Sequence, residues 1–173
     1  MKNLEHEFLE KIENHKAMIF KISKMYVDGK EDRADLYQEI IFQTWKAYPS
    51  FQGKSEFSTW LYRVALNTAI VFLKSEKKRH IFSRQETYQS YQLDIKDEKY
   101  DHEKDTQIER LYQAIHQLNP IDKALIFYSL ENYSHRQVAE QMGITEVNAR
   151  VKLNRAKNKL KELLYTENKT TTK

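Results

Sequence analysis

A run of positively charged residues between positions 147 and 161 is the clearest candidate binding site in this sequence, since its side chains can bind anionic or hydrogen-bond-accepting groups. Arginine and lysine side chains donate to phosphate oxygens, and in the major groove of DNA they donate to guanine edges. No acidic residue interrupts the run, whose cations are Arg150, Lys152, Arg155, Lys157, Lys159 and Lys161. Because a basic helical face is often only solvated surface, the residues just before the run decide between the two interpretations.

Those preceding residues predict two helices joined by a tight turn. Ser134 and Gln137 have the spacing of an S-x-x-Q capping box, so a short helix begins there. Gly143 can adopt the positive φ needed to leave that helix, and Thr145 is a good N-cap for the next one. The apolar residues expected to face inward are Val138, Ala139, Met142, Ile144, Ala149, Leu153, Ala156, Leu160 and Leu163. This order of elements is the helix-turn-helix pattern.

A basic helix that follows such a turn fits the major groove of DNA. Residues near its N-terminal end are expected to read base edges, and the later lysines are expected to hold phosphates. The first set is Arg150, Lys152, Asn154 and Arg155, the second is Lys157, Lys159 and Lys161, and Asn148 also points away from the buried face. The sequence therefore predicts a DNA-binding helix in the C-terminal half.

Three helices are predicted in the N-terminal half. The first has an apolar face with spacings of three and four residues, formed by Phe8, Ile12, His15, Ile19, Ile22 and Tyr26. Gly29 is expected to end it in a left-handed C-cap. The second runs from about Asp32 to Tyr48 and stops before Pro49. "SFQGKSE" is typical of a loop, and the third helix is expected to begin near an N-cap at Ser55.

The third helix has an apolar side and a mainly polar side. The apolar side consists of Phe57, Trp60, Leu61, Val64, Ala65, Thr68, Val71 and Phe72. The opposite side consists of Arg63, Asn67, Ile70, Lys74 and Lys77, at spacings of four, three, four and three. A helix with this distribution is expected to pack on a core through the first set and to expose the second.

Helical periodicity is lost between the two halves. Residues from about 76 to 105 are polar and alternate in charge, which predicts a linker with a short helical or partner-binding piece around 91–95. A new apolar stripe is formed by Ile108, Leu111, Ile115 and Leu118, and Asn119 and Pro120 begin a helix to about Leu130. The predicted organisation is a helical domain over 1–75, a linker over 76–105, a second helical domain over 106–165 and a disordered tail over 166–173.

Composition favours an all-α fold and argues against catalysis. The 173 residues include only 3 glycines, 2 prolines and no cysteine, so long helices are expected and disulfides and thiolate metal sites are excluded. The 6 histidines lack metal-ligand spacing, and there is no glycine-rich phosphate loop, so no metal, cofactor or enzyme activity is predicted. A charged N-terminus and the lack of an 18-residue apolar run predict a cytoplasmic protein without membrane insertion.

The motifs of both halves resemble those of the extracytoplasmic-function (ECF) sigma factors of bacterial RNA polymerase. "YSHRQVAEQMGITEVNARVKLNRAKNKL" is similar to region 4, and "DRADLYQEIIFQTWKAYPSFQGKSEFSTWLYRVALNTAI" is similar to region 2. The resemblance covers residues 1–75 and 106–165, with region 3 missing between them. It departs from the family pattern at Val147 and Asn148, where small residues or threonine are common. It implies two small helical domains, a region 2 bundle and a region 4 helix-turn-helix, joined by a charged linker.

The resemblance also implies roles and partners. A sigma factor binds core RNA polymerase through the β′ clamp coiled coil and the β flap, directs initiation at promoter DNA, and is commonly held by an anti-sigma factor. Carried over residue by residue, Asp35, Gln38 and Glu39 contact the core polymerase. The −10 element is contacted by Lys54, Ser55, Phe57, Arg63, Asn67, Lys74 and Lys77. The −35 element is contacted by the helix that begins near Thr145.

Two other classes of protein remain open on the sequence. A helix-turn-helix regulator that is not a sigma factor would bind duplex DNA by itself, and its N-terminal half would not need the outer stripe from Arg63 to Lys77. A small enzyme or ligand-binding bundle would need a convergent polar pocket, for which the sequence offers no candidate cluster.

Overall fold

The computed structural model describes residues 2–82 and 102–170, and the side chains of residues 4–75 and 106–166. Within those ranges every regular element is helical, so the predicted all-α class is confirmed. The chain divides into two units, Met1–Leu93 and Asp94–Lys173. The predicted piece around 91–95 lies outside the described residues.

In the part of the first unit that the structure describes there are three α-helices. They are α1 (Lys2–Tyr26), α2 (Lys30–Ala47) and α3 (Phe57–Phe82), and a 3-10 turn over Tyr48–Ser50 follows α2. The predicted apolar face of α1 is buried at all its members except His15, which is half-buried. It packs against Leu36 and Ile40 of α2 and Leu61 and Ala65 of α3, all of which are fully covered. These residues form the core of the unit.

Gly29 does not have the predicted left-handed conformation. Its φ is −63°, and it is the N-cap of α2 rather than the C-cap of α1. Helix α1 ends at Tyr26, and the buried Val27 follows it, with its amide donating to the carbonyl of Ser23 at 3.0 Å. A Cβ at position 29 would lie 3.1 Å from Asp32 Oδ2, so the glycine allows a close approach at the start of α2.

Two details of α3 differ from the prediction. The helix begins at Phe57, so Ser55 lies in the preceding loop, and Val71 is 64% exposed rather than buried. The buried row of α3 runs through Leu61, Ala65 and Ala69 at steps of four residues. Each such step turns the row by about 40° around the helix, which moves Val71 away from the core side.

Residues 102–170 of the second unit form four α-helices. They are α4 (His102–His116), α5 (Pro120–Leu130), α6 (His135–Met142) and α7 (Glu146–Thr170), and α7 packs against the other three. The side chain of Asn119 accepts hydrogen bonds from the amides of Ile121 at 3.1 Å and Asp122 at 2.9 Å, which confirms the predicted start of α5. Ile115 and Leu118 are buried as predicted, whereas Ile108 is 42% exposed.

The helices extend into segments predicted to be irregular. α3 continues to Phe82 and α4 begins at His102, so both enter the predicted linker over 76–105. α7 continues to Thr170 through most of the predicted tail, and residues 171–173 lie outside the described part.

Candidate nucleic-acid interface

The turn between α6 and α7 has the geometry that its sequence predicts. Ser134 Oγ accepts from the amide of Gln137 at 3.2 Å, and the amide of Ser134 donates to Gln137 Oε1 at 2.9 Å. Gly143 has a φ of 65°, and its amide donates to the carbonyl of Ala139. Thr145 Oγ1 accepts from the amide of Asn148 at 3.3 Å. The capping box, the left-handed glycine and the N-cap are thus confirmed, and they fix α7 against α6 as a helix-turn-helix.

Helix α7 buries one face and exposes its cations. Ala149, Leu153 and Ala156 are at most 4% exposed, and Leu160 and Leu163 are half-buried. The predicted DNA-contacting residues are all exposed: Asn148, Arg150, Lys152, Asn154, Arg155, Lys157, Lys159 and Lys161. None of the six cations forms an ion pair with another described side chain, so their charges are available to an outside ligand.

The exposed side of α7 has a centre line and two basic flanks. At about 100° per residue, the positions opposite the buried face are Val147, Val151, Asn154 and Asn158. Arg150 and Arg155 lie about 70° to either side of this line, whereas Lys152 lies about 130° from it, towards the buried side. Arg150, Lys157 and Lys161 form one flank, and Lys152, Arg155 and Lys159 form the other.

The sequence reasoning missed the two valines on the centre line. Val147 is 65% exposed and Val151 is 43% exposed, although both are apolar. The sequence did contain a signal for them. Two valines four residues apart occur on the polar side of an otherwise amphipathic helix, where apolar residues are not expected. Their position opposite the buried face, which they share with Asn154 and Asn158, makes them part of the surface that a ligand of this helix would meet.

Helix α3 exposes a second set of polar residues. Arg63, Asn67 and Lys74 are exposed, and Ile70 on the same stripe is half-buried. Lys77 lies in the part of α3 whose side chains are not described. The three described polar members of the stripe thus have the exposure that the sequence predicts, whereas Ile70 is more covered than predicted.

The loop between the 3-10 turn and α3 presents Lys54 and Ser55 but not Phe57. Both polar residues are exposed and follow Gly53, whose φ is +66°. Phe57 is only 8% exposed, and its ring lies 5.5 Å from Trp60 and 5.2 Å from His15 between centroids. A ring covered in this way offers no free face for a base, so Phe57 supports the loop from the core.

An aromatic cluster anchors both ends of that loop. Phe51 lies 5.0 Å from Trp60 and 5.7 Å from Phe57 between ring centroids, and Tyr48 packs beneath them. The Tyr48 hydroxyl donates to Glu7 Oε1 at 2.8 Å, and burial together with this bond raises the pKa of Tyr48 to about 12. The residues at both ends of the loop are therefore connected by side-chain contacts to one another and to Glu7 of α1.

Helix α2 carries the predicted core-binding residues on its outer side. Asp35 and Gln38 are exposed, and Glu39 is half-buried and accepts from Gln43 Nε2 at 2.8 Å. The neighbouring aromatics Phe42 and Trp45 are 54% and 37% exposed, which sequence reasoning did not single out.

An open cleft of about 430 Å³ lies between α2 and α3. Its lining includes Glu39 and Gln43 from α2 and Asn67, Val71 and Phe72 from α3. The cleft therefore connects the predicted core-binding helix with the exposed stripe of α3.

Neither a metal centre nor a membrane span is found among the described residues. No group of three or more histidine or carboxylate side chains there could hold a metal ion. No helix in the described ranges is long and apolar enough to cross a membrane.

Relatives of known role match the chain in sequence. It is 27% identical to RNA polymerase sigma factor SigV of Bacillus subtilis over 146 residues, which cover 84% of this chain and 83% of that protein. It is 28% identical to the ECF sigma-E factor of Haemophilus influenzae over 149 residues, covering 79% and 78%. A segment of 48 residues is 46% identical to the ECF sigma factor SigG of Mycobacterium tuberculosis, but it spans only 28% of this chain and 13% of that protein.

The fold and the family descriptions agree with these relatives. The sigma factor RpoE of Bartonella quintana, solved with the anti-sigma factor NepR, is similar with a TM-score of 0.64 at 17% identity, covering 92% of this chain and 97% of that one. Residues 12–79 match the description Sigma-70 region 2, and residues 108–160 match Sigma-70, region 4. Two such matches in this order, with relatives along most of the length, show that the chain belongs to the ECF sigma factors of RNA polymerase, a family of initiation factors that are not enzymes.

Proposed function

We propose that this sigma factor binds core RNA polymerase and directs initiation at promoters whose −35 element is read by α7 and whose −10 element is read by the loop and α3. The observation that carries the proposal is the helix-turn-helix whose second helix exposes its basic residues. Six cations without ion-pair partners among the described residues face outward on α7, which suits the phosphates on both walls of a major groove.

For the −35 element, the angle between each cation and the centre line of α7 supports a division into base-reading and phosphate-binding residues. Arg150 and Arg155 are long enough to reach base edges from about 70° off the line. Lys152 lies at a larger angle from the centre line. We therefore assign it, like Lys157, Lys159 and Lys161, to phosphate contacts, in place of the base contact that its sequence position suggested. Asn148 and Asn154 complete the polar set.

For the −10 element, the exposed polar residues of the loop and α3 support capture of single-stranded DNA. Lys54 and Ser55 lie at the loop, and Arg63, Asn67 and Lys74 follow along α3, with Lys77 beyond them. Backbone cations beside polar groups that can pair with a base edge are the features needed to hold an unpaired nucleotide. The aromatic cluster beneath the loop supports this role by fixing its position.

For the core polymerase, we propose that Asp35, Gln38 and Glu39 of α2 contact the β′ clamp coiled coil and that region 4 contacts the β flap. The exposed Phe42 and Trp45 beside the acidic residues support a docking role, because apolar area next to charge is typical of an interface. An anti-sigma factor that covers this surface is a further proposed partner. Two solved proteins of similar fold are complexes, of RpoE with the anti-sigma factor NepR and of CnrH with the cytosolic domain of CnrY.

A comparison of DNA binding with and without core polymerase tests the proposal against the remaining alternative. We expect the free chain to bind promoter duplex weakly, because each half offers few contacts, and we expect specific binding once core polymerase is added. The measurement is a titration of labelled promoter duplex with the chain alone, with core alone and with both. Sub-micromolar, sequence-specific binding by the chain alone would instead identify a helix-turn-helix regulator that needs no polymerase.

A further inference from the structure

The centre line of α7 is partly apolar. Val147 and Val151 lie on it one turn apart, and they expose 65% and 43% of their surface between two flanks of cations. We infer that these two valines read the C5-methyl groups of thymines in the major groove of the −35 element. The inference rests on the proposed function, because it requires that α7 enters that groove.

Valine discriminates between bases because most base edges in the major groove are polar. Guanine presents two acceptors, cytosine an amino donor, and adenine one of each, whereas thymine presents a methyl group beside its O4 acceptor. A valine pressed against a polar edge removes water from it without supplying a hydrogen bond, which is unfavourable. Against a thymine methyl the same contact buries apolar surface on both sides and is favourable.

The charge around the valines identifies the occupant of this surface. Arg150, Lys157 and Lys161 lie on one side of the line and Lys152, Arg155 and Lys159 on the other, and no acidic residue occurs between positions 147 and 161. A protein or lipid partner would not require cations on both flanks, whereas a major groove has a phosphate backbone along each wall. The apolar centre therefore faces the base edges on the groove floor.

The spacing of the valines predicts where the thymines lie. Four residues of helix advance about 6 Å along the axis, and one base pair of B-DNA advances about 3.4 Å. Two valines in contact with the groove floor therefore meet methyl groups about two base pairs apart. The other two residues of the line, Asn154 and Asn158, are suited to adenine edges further along.

Removal of single methyl groups from the DNA tests the inference. Promoters are first selected with core polymerase and the full chain from a library randomised at −35, and we expect thymine to be enriched at two positions about two base pairs apart. Each enriched thymine is then replaced by deoxyuridine, which lacks only the methyl. Initiation should fall about fourfold at each position, the factor that corresponds to one buried methyl group.

Alanine variants connect each methyl group to its valine. Val147→Ala and Val151→Ala should each abolish the deoxyuridine effect at one of the two positions and leave the other intact. Alanine has a higher helix propensity than valine, so loss of the helix does not explain such a result. Val71→Ala is the matched control, because Val71 is 64% exposed but lies on α3, and it should keep both deoxyuridine effects.

The possible failures are distinguishable. If the wild-type holoenzyme initiates but shows no thymine enrichment, or uses thymine and deoxyuridine equally, the inference is wrong and the proposed function stands. If both valine variants keep the full deoxyuridine effects, another group reads the methyls and the inference is again wrong. If no promoter in the library supports initiation, the proposed function and the inference fall together.

Discussion

Reversal of charge at two positions of α2 is expected to weaken binding to core RNA polymerase by about a hundredfold. The variant is Asp35→Lys with Glu39→Lys, and it replaces two acidic groups at a proposed interface by cations. Like-charge juxtaposition across an interface costs several kcal/mol, and each 1.4 kcal/mol corresponds to about a tenfold change in affinity. The measurement is the dissociation constant of a labelled chain for core polymerase at fixed salt.

Stability is not expected to account for that loss. Asp35 is exposed, and Glu39 is half-buried with one hydrogen bond from Gln43, so their replacement should cost about 1 kcal/mol or less of the free energy of unfolding. Glu5→Lys with Glu10→Lys on α1 is the matched control, because it makes the same change in net charge at exposed positions. The assignment of α2 to core binding is wrong if both double variants bind core polymerase like the wild type.

Loss of Arg150 is expected to change the choice of −35 sequence, whereas loss of Lys159 is expected to lower initiation everywhere. A bidentate arginine contact to guanine contributes about 1–3 kcal/mol of discrimination, so Arg150→Ala should relax the preference at one base pair by about 5- to 150-fold. A phosphate contact adds affinity for any sequence and about one unit to the salt slope. Lys159→Ala should therefore flatten the salt dependence by about one unit and leave the preferred sequence unchanged.

Both variants are compared with the wild type on a promoter library randomised at −35, at two salt concentrations. Their side chains are exposed on the same helix, and alanine retains the helix, so each serves as the control for the other. An unchanged sequence preference in Arg150→Ala would show that this arginine does not read a base. A changed −35 sequence preference in Lys159→Ala would show that Lys159 takes part in base recognition, so its assignment to a phosphate contact would be wrong.

Local signals in the sequence predicted the helix-turn-helix well. The capping box at Ser134 and Gln137, the positive φ of Gly143 and the N-cap at Thr145 each depend on a few neighbouring residues. The buried face of α7 follows from a spacing of three and four residues that is uninterrupted from Ala149 to Ala156. Features of this kind depend on residue types a few positions apart, so they can be predicted without knowledge of the other elements.

The errors arose where neighbouring helices decide the outcome. Gly29 has an extended backbone because α2 begins directly after it, and Val71 is exposed because the buried row of α3 drifts around the helix as it follows α1 and α2. Phe57 flanks the loop as predicted, but its ring is covered by His15 of α1, by Tyr48 of the 3-10 turn and by Trp60, which lies one turn further along α3. A residue's place in a motif did not reveal how much of its side chain the tertiary structure would leave free.

The exposed side of α7 shows a second limit of the prediction from sequence, which concerns the choice of base-reading residues. The predicted base-reading set emphasised charge, so Lys152 was included and Val147 and Val151 were left out. In the structure Lys152 is exposed like the two valines, but at about 100° per residue it lies about 130° from the centre line on which they lie. Because the buried face of α7 was itself predictable from the sequence, the angular position around the helix could have separated these residues, whereas their type did not.

Initiation from a promoter library randomised at both elements tests the central claim most directly, namely that two halves of one chain read two separate promoter elements on core polymerase. Core RNA polymerase is incubated with the full chain, and the transcribed promoters are sequenced, with core alone as the control. We expect two enriched sequence blocks at a fixed separation, of which Arg150→Ala alters only the −35 block and Asn67→Ala only the −10 block. A single enriched block, or initiation that does not depend on the added chain, would contradict the account.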